Sequence, residues 1–178
     1  VLWFGNDDGN MVASTPIYCG NTGPPECYDT PGADAVTFSM KNAYWVCNWV
    51  SNMVYPRYSL MFPSLKAVRD SLDQSYFAQQ AEVEARAVEL CKTSEEEAVK
   101  YLNTYSNTKA QQMLERWKEL AFYLIVKYND MAVKPDQNGK FLRTKEGLGA
   151  TVKRVGSAAA FQKKLAETTG DKFLVPTE

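Results

Sequence analysis

Few side chains in this sequence have the types and spacing that chemistry requires. Its thiols are Cys19, Cys27, Cys47 and Cys91, and histidine is absent. Neither a Ser-His-Asp set nor a Cys-His pair can therefore be assembled from these residues, and no His-based metal centre either. No two cysteines stand at C-x-x-C spacing, which argues against zinc; no metal site and no cofactor are expected. Cys47 and Cys91 fall on apolar helical faces without an activating base nearby, and read as small core residues. Cys19 and Cys27 flank a Gly/Pro-rich loop, and a bridge between them is left open. The densest polar cluster near the start is Asn6-Asp7-Asp8, directly after the apolar VLWF. It reads either as an Asx-rich turn or as a contact for a substrate amine or an ion. Successive strand residues point to opposite faces, so the adjacent carboxylates are not an acid/base pair by spacing.

These residues must be held by the elements around them, and the stretch from Phe38 to Tyr58 dominates that reading. FSMKNAYWVCNWVSNMVYPRY carries two tryptophans, three tyrosines and a phenylalanine. Burying each large ring gains roughly 1.5–3 kcal/mol, so the block is expected as a buried helix at the heart of a core. Tyr44, Cys47, Val50 or Ser51, and Val54 recur at helical spacing, with Trp45, Trp49 and Asn52 on the flank. Asn48 and Asn52 stand one turn apart, as backbone ties or as part of a site lining.

Upstream, VLWF and TPIYCG read as short strands separated by turns. They are expected to pair as a hairpin or to join a larger sheet; a two-stranded ribbon alone is marginal. Downstream, Leu65, Val68, Leu72, Tyr76, Val83, Ala87 and Leu90 mark one face of a long helix that starts at Pro63 and ends near Cys91. Arg69, Asp73, Glu82 and Arg86 point outward from it. Ser94 with Glu97 forms a capping box for a second helix, Ser106-Asn107 breaks it, and a third helix runs through Ala110, Met113, Trp117, Leu124 and Tyr128. Beyond it, MAVKP and KFLRT are expected to pair around the KPDQNGK tip. Ser157 caps a last short helix that Gly170 terminates, and DKFLVPTE forms an edge strand or trails off.

The composition sets bounds. A length of 178 residues points to one domain, and a chain of this size buries about 70% of its unfolded surface. Within it, residues 1–37 are strands and loops, 38–130 a helical core, and 131–178 a hairpin, short helix and tail. The class is α+β, mainly helical. The net charge of −1 with scattered Lys and Arg argues against a nucleic-acid partner. No apolar run reaches the roughly 18 residues that cross a bilayer, so no membrane partner is expected. Homo-oligomerisation stays open. The opening VLWFGNDDGN has no start methionine or charged leader, and Val1 reads as internal to something longer.

Certain residue strings add a resemblance to this. WFGNDD, TPIYCGNTGPPECY, FSMKNAYWVCNWVSNMVYPRY and RWKELAFYLIVKYND resemble the C-terminal half of the dipeptidase A family. These are secernin-related cysteine hydrolases of the N-terminal-nucleophile superfamily. The resemblance implies an αββα architecture and hydrolysis of dipeptides by a cysteine at the mature N-terminus, whose α-amine serves as general base, so that histidine is not needed. Val1 carries no nucleophile, so the expectation is a fragment, inactive alone, whose reactive cysteine lies outside this chain. No catalytic role falls on its own residues. Asn6, Asp7, Asp8 and Tyr18, at the strand ends nearest the presumed sheet, are the expected substrate-lining residues, with Asp7 or Asp8 holding the ammonium group of a dipeptide. An exported or periplasmic setting is favoured over the cytoplasm. The competing expectation, from a different class, is a non-catalytic helical interaction domain that uses the aromatic block for a partner.

Overall fold

Asn42 begins the first helix, since its side-chain oxygen accepts the Trp45 backbone N–H at 3.4 Å and so satisfies one of the donors every helix start leaves free. The helix, α1, runs Ala43–Val54 in a computed structural model that describes residues 1–147, 149–150, 152–154 and 159–173. Its buried face is Ala43, Val46, Cys47, Val50, Ser51 and Val54. The face is made of small side chains, and this corrects the expectation that the aromatic rings are the buried part. Tyr44 is 42% exposed, Tyr55 50% and Phe38 58%. Small residues fill that face, whereas the rings of Tyr44, Trp45 and Phe38 pack edge-to-face, Trp45 against each of the other two.

A 3-10 turn, Tyr55–Arg57, links α1 to α2, Tyr58–Cys91. The second helix thus begins five residues before Pro63, which lies inside it. A proline this near the start removes only one donor from the ladder. Leu65, Tyr76, Val83 and Ala87 are buried as the spacing predicts. Cys91 is exposed, contrary to its reading as core, because it ends the helix rather than continuing its inner face. Asp73 and Arg69 are not outward either; both reach the N-terminal loop, as described below.

Ser94 caps α3, Glu95–Tyr128, with its hydroxyl accepting the Glu97 N–H at 3.2 Å, and Glu95, Glu96 and Glu97 occupy the first turn where carboxylates favour the positive helix end. No break occurs at Ser106-Asn107: the helix is continuous for 34 residues. Polar side chains that often end helices here bond backward along it. Thr104 Oγ1 donates to the Lys100 carbonyl at 2.8 Å, Asn107 Nδ2 to Asn103 at 2.9 Å, and Thr108 Oγ1 to Thr104 at 2.7 Å. The tertiary reason is the inner face, where Ser106, Ala110, Met113, Leu114 and Trp117 are all buried.

The described strands form three two-stranded ribbons. β1, Leu2–Phe4, pairs antiparallel with β2, Thr15–Ile17, in the register Leu2 to Ile17. Trp3 packs on Phe77 of α2 at 4.3 Å between ring centroids and Phe4 on Tyr28 at 5.0 Å. Met11, Val12 and Ala13, between the strands, are fully buried. These elements belong to a unit of residues Val1–Ile125; a second unit covers Val126–Glu178, with the last turn of α3 counted in it.

In the second unit β3, Ala132–Val133, pairs with β6, Lys153–Arg154, while β4, Asp136–Gln137, pairs with β5, Lys140–Phe141. The strand partners therefore differ in part from those expected: Ala132–Val133 of MAVKP pairs with β6, and MAVKP meets KFLRT where the Leu142 N–H donates to the Pro135 carbonyl at 3.0 Å. The tip stands as read: Asn138 at φ 51° and Gly139 at φ 76° supply the left-handed pair of a two-residue hairpin turn. The helix α4, Ala159–Thr169, ends at Gly170 with φ 54°. Ser157 and residues 174–178 lie outside the described residues. The mainly helical α+β class is borne out. No described helix is long and apolar enough to cross a membrane.

The Ser106 hydroxyl is buried without a hydrogen-bond partner. Replacing it by alanine removes an unsatisfied group and raises helix propensity. Ser106→Ala is expected to stabilise the chain by about 1 kcal/mol, read as a higher urea midpoint; a lower midpoint would show that the hydroxyl has a partner after all.

Candidate substrate site

Past β1 the backbone bends through Asn6, Asp7 and Asp8. Asp7 sits at φ 108°, a conformation that costs a non-glycine residue about 1–3 kcal/mol and persists only where surrounding contacts enforce it. Those contacts are visible. Its Oδ1 accepts from Asn48 Nδ2 at 3.2 Å and its Oδ2 from Ser51 Oγ at 2.8 Å. The Ser51 hydroxyl has one proton and a second acceptor in reach, the Cys47 carbonyl at 3.0 Å. Asn52 in turn donates to the Asn48 carbonyl at 2.8 Å and to its Oδ1 at 2.9 Å, which fixes the Asn48 amide so that its NH2 faces Asp7.

Asp8 closes an Asx turn, accepting the Asn10 N–H on Oδ1 at 2.8 Å, while its own carbonyl accepts the Met11 N–H at 2.8 Å. Its Oδ2 accepts from the Tyr55 hydroxyl. The Tyr55 hydrogen bond, and after it the Asn10 N–H, hold the Asp8 carboxyl below its ordinary value; the same bond raises the Tyr55 phenol. Positions 48, 51 and 55 are three and four residues apart, so one side of α1 and the turn after it receives both carboxylates. The bend, not a strand, lets adjacent acids reach one surface.

The turn is also held from α2. Ser14 N–H donates to Asp73 Oδ1 at 2.8 Å, and Arg69 Nη1 donates to the Asn10 carbonyl at 2.6 Å. Burial pushes the Asp73 carboxyl up, opposed by the Ser14 N–H.

Of the residues named from sequence, Asp7 and Asp8 are brought together on α1. Tyr18 lies elsewhere: it is buried against Tyr105 of α3 at 6.3 Å, its hydroxyl has no partner, and desolvation raises it to about 12. Asn6 is half-buried beside the pair in sequence. Sequence reasoning missed Ser51, Tyr55, Asn10, Arg69 and Asp73 as partners. The spacing of Asn48, Ser51 and Tyr55, polar on an otherwise apolar helix, was the available signal.

All four cysteines are free. Burial raises Cys27 to about 11 and Cys47 further, so both stay protonated near neutrality and neither is a ready nucleophile. Cys27 lies on the wall of a hollow of about 730 Å3, with Glu26, Leu72, Gln111, Glu115 and Arg116 around it; Asp7 and Asp8 do not line it.

A model of peptidase family C69 matches residues 1–71. The matched segment is similar to that family. It takes in β1, the carboxylate turn, β2, α1, Tyr55 and the first 14 residues of α2, Tyr58 to Ser71. The dipeptidase A and secernin resemblance is thereby borne out over this segment, and the C69 match points to a peptidase. No curated protein and no solved structure matches the chain.

Two measurements probe this geometry. Ser51→Ala removes one donor from Asp7 and is expected to cost about 1–2 kcal/mol; an unchanged denaturation midpoint would mean that Asn48 alone satisfies the carboxylate. For Asp73, the folded state disfavours the charged form, so the stability it confers is greatest at low pH. That stability is lost as pH rises from the ordinary 3.8 through the raised value. Wild type should therefore lose stability relative to Asp73→Asn as pH rises above 3.8, and parallel profiles would contradict the shift.

Proposed function

We propose that this chain is part of a cysteine dipeptidase in which Asp7 and Asp8 hold the ammonium group of the substrate. The observation that carries the reading is the coincidence of the C69 segment, residues 1–71, with a pair of carboxylates fixed on α1 by Asn48, Ser51 and Tyr55. A peptide presents its free ammonium one residue from its first peptide bond, and in a dipeptide that is the only peptide bond. A rigid anionic anchor at that distance directs the reaction to that bond, because a charge-assisted contact in a fixed geometry is stronger than one to a mobile side chain.

The nucleophile in this proposal is an N-terminal cysteine outside these residues, carried on an αββα sandwich. Its own α-amine, with an ordinary pKa of about 7.7–8.0, takes the thiol proton; the thiolate attacks the carbonyl, and the leaving amine departs with that proton. Water then hydrolyses the thioester. The absence of histidine is compatible with this route, and the protonated state of Cys27 and Cys47 gives no competing thiolate. The exposed Phe38, Tyr44 and Tyr58 favour the second reading, a non-catalytic helical interaction domain.

The two readings diverge in a peptidase assay. The chain alone should release no amino acids from dipeptides, while the protein that carries the leading cysteine should cleave them and be blocked by thiol alkylation. In that protein Asp7→Asn and Asp8→Asn should each raise KM about tenfold, the equivalent of about 1.4 kcal/mol, with kcat little changed. An unchanged KM removes the carboxylates from the site; lack of cleavage by the thiol-bearing protein favours the interaction domain.

A further inference from the structure

We infer that Arg69 is a positioning residue for the substrate anchor, holding Asp8 in place through Asn10. This inference rests on the reading of Asp8 as the ammonium contact. The guanidinium is fixed on several sides. Its Nε and Nη2 donate to Asp70 Oδ1 at 3.1 and 2.9 Å, and its carbon lies 5.7 Å from the centroid of the Phe62 ring. Asp70 is itself paired to Lys66 one turn earlier. With the side chain only 16% exposed, the remaining nitrogen, Nη1, is directed at the Asn10 carbonyl at 2.6 Å and at its Oδ1 at 3.3 Å.

Asn10 is the middle link. Its backbone N–H donates to Asp8 Oδ1 at 2.8 Å, and its Nδ2 donates to the Tyr58 hydroxyl at 3.0 Å. Tyr58 stacks on Phe62 at 4.5 Å and on Tyr55 at 6.3 Å, and Tyr55 donates to the other Asp8 oxygen. Asp8 is thus gripped at both oxygens by groups whose orientation goes back to the first turns of α2. A lysine cannot substitute, because an ammonium is a single charge centre whereas the planar guanidinium grips Asp70 and Asn10 in different directions at once. Every member of this network, from Asp8 to Asp70, falls within the C69 segment.

The test reads the anchor itself as well as activity. In the chain labelled at its tyrosine ring carbons, Tyr55, assigned by the signal lost in Tyr55→Phe, titrates above an ordinary phenol because of Asp8. Arg69→Ala and Arg69→Lys should both increase the acidity of Tyr55 by about threefold or more, toward an ordinary phenol. Asp70→Asn, at a partly exposed position, should do the same in smaller measure and serves where Arg69→Ala disturbs folding. In the thiol-bearing protein the Arg69 variants should raise KM with kcat little changed. An unmoved Tyr55 titration in folded Arg69→Lys overturns the positioning role. A Tyr55 titration that moves while KM stays constant upholds the positioning and instead removes Asp8 from the substrate site.

Discussion

The attachment of the Asp7 carboxylate to Asn48 and Ser51 is the interaction on which the rest of the first unit depends. It holds a non-glycine residue at φ 108°, and that turn sets where the chain goes next: Asp8 toward Tyr55, then Met11, Val12 and Ala13 into the core. The cost of the backbone conformation, about 1–3 kcal/mol, is offset by two hydrogen bonds to a charged acceptor, each worth about 1.5–3 kcal/mol when shielded from water. The turn exists because α1 offers polar groups at one end of a face that is otherwise apolar.

That face explains the division of labour along α1. Its small residues, Ala43, Val46, Cys47, Val50 and Val54, are the ones removed from water, while its large rings stay at the edge. Close approach of the backbone allows the short side chains of Ser51 and Asn48 to reach a carboxylate on a neighbouring loop. Had the rings been buried as expected, the helix would stand further from the loop. The exposed rings then stack among themselves, and Tyr55, Tyr58 and Phe62 form a row beside the Asp8 turn.

The long helices serve this arrangement differently. α2 carries the residues that pin the N-terminal loop, Arg69 and Asp73, one turn apart. α3 supplies the buried bulk, with Met113, Leu114, Trp117 and Leu124 almost fully removed from solvent. A charged pair used to hold a loop must sit where the helix meets that loop, which is why Arg69 and Asp73 are drawn inward although their types alone argue for solvent. The C69 match ends at residue 71, so it contains Arg69 and the Asp7–Asp8 turn but little of the helical bulk behind them.

Much of the helical skeleton was legible in the sequence. The 3.6-residue periodicity of α2, the Ser94 cap, the Asn138-Gly139 tip and the Gly170 stop all follow from local chemistry, as does the Asx turn at Asp8, because each depends on neighbours within four residues. The absence of histidine showed without any structure that no histidine-based catalytic set can be assembled from these residues alone. Tertiary contact decided the rest. It made α3 continuous through Ser106, since burial of one face outweighs a weak local preference for a break; it turned Arg69 and Asp73 inward, and it left Tyr44 and Phe38 in water. It also brought Asp7 and Asp8 onto one helix, through bonds to residues more than 40 positions away, a separation over which no local pattern carries information.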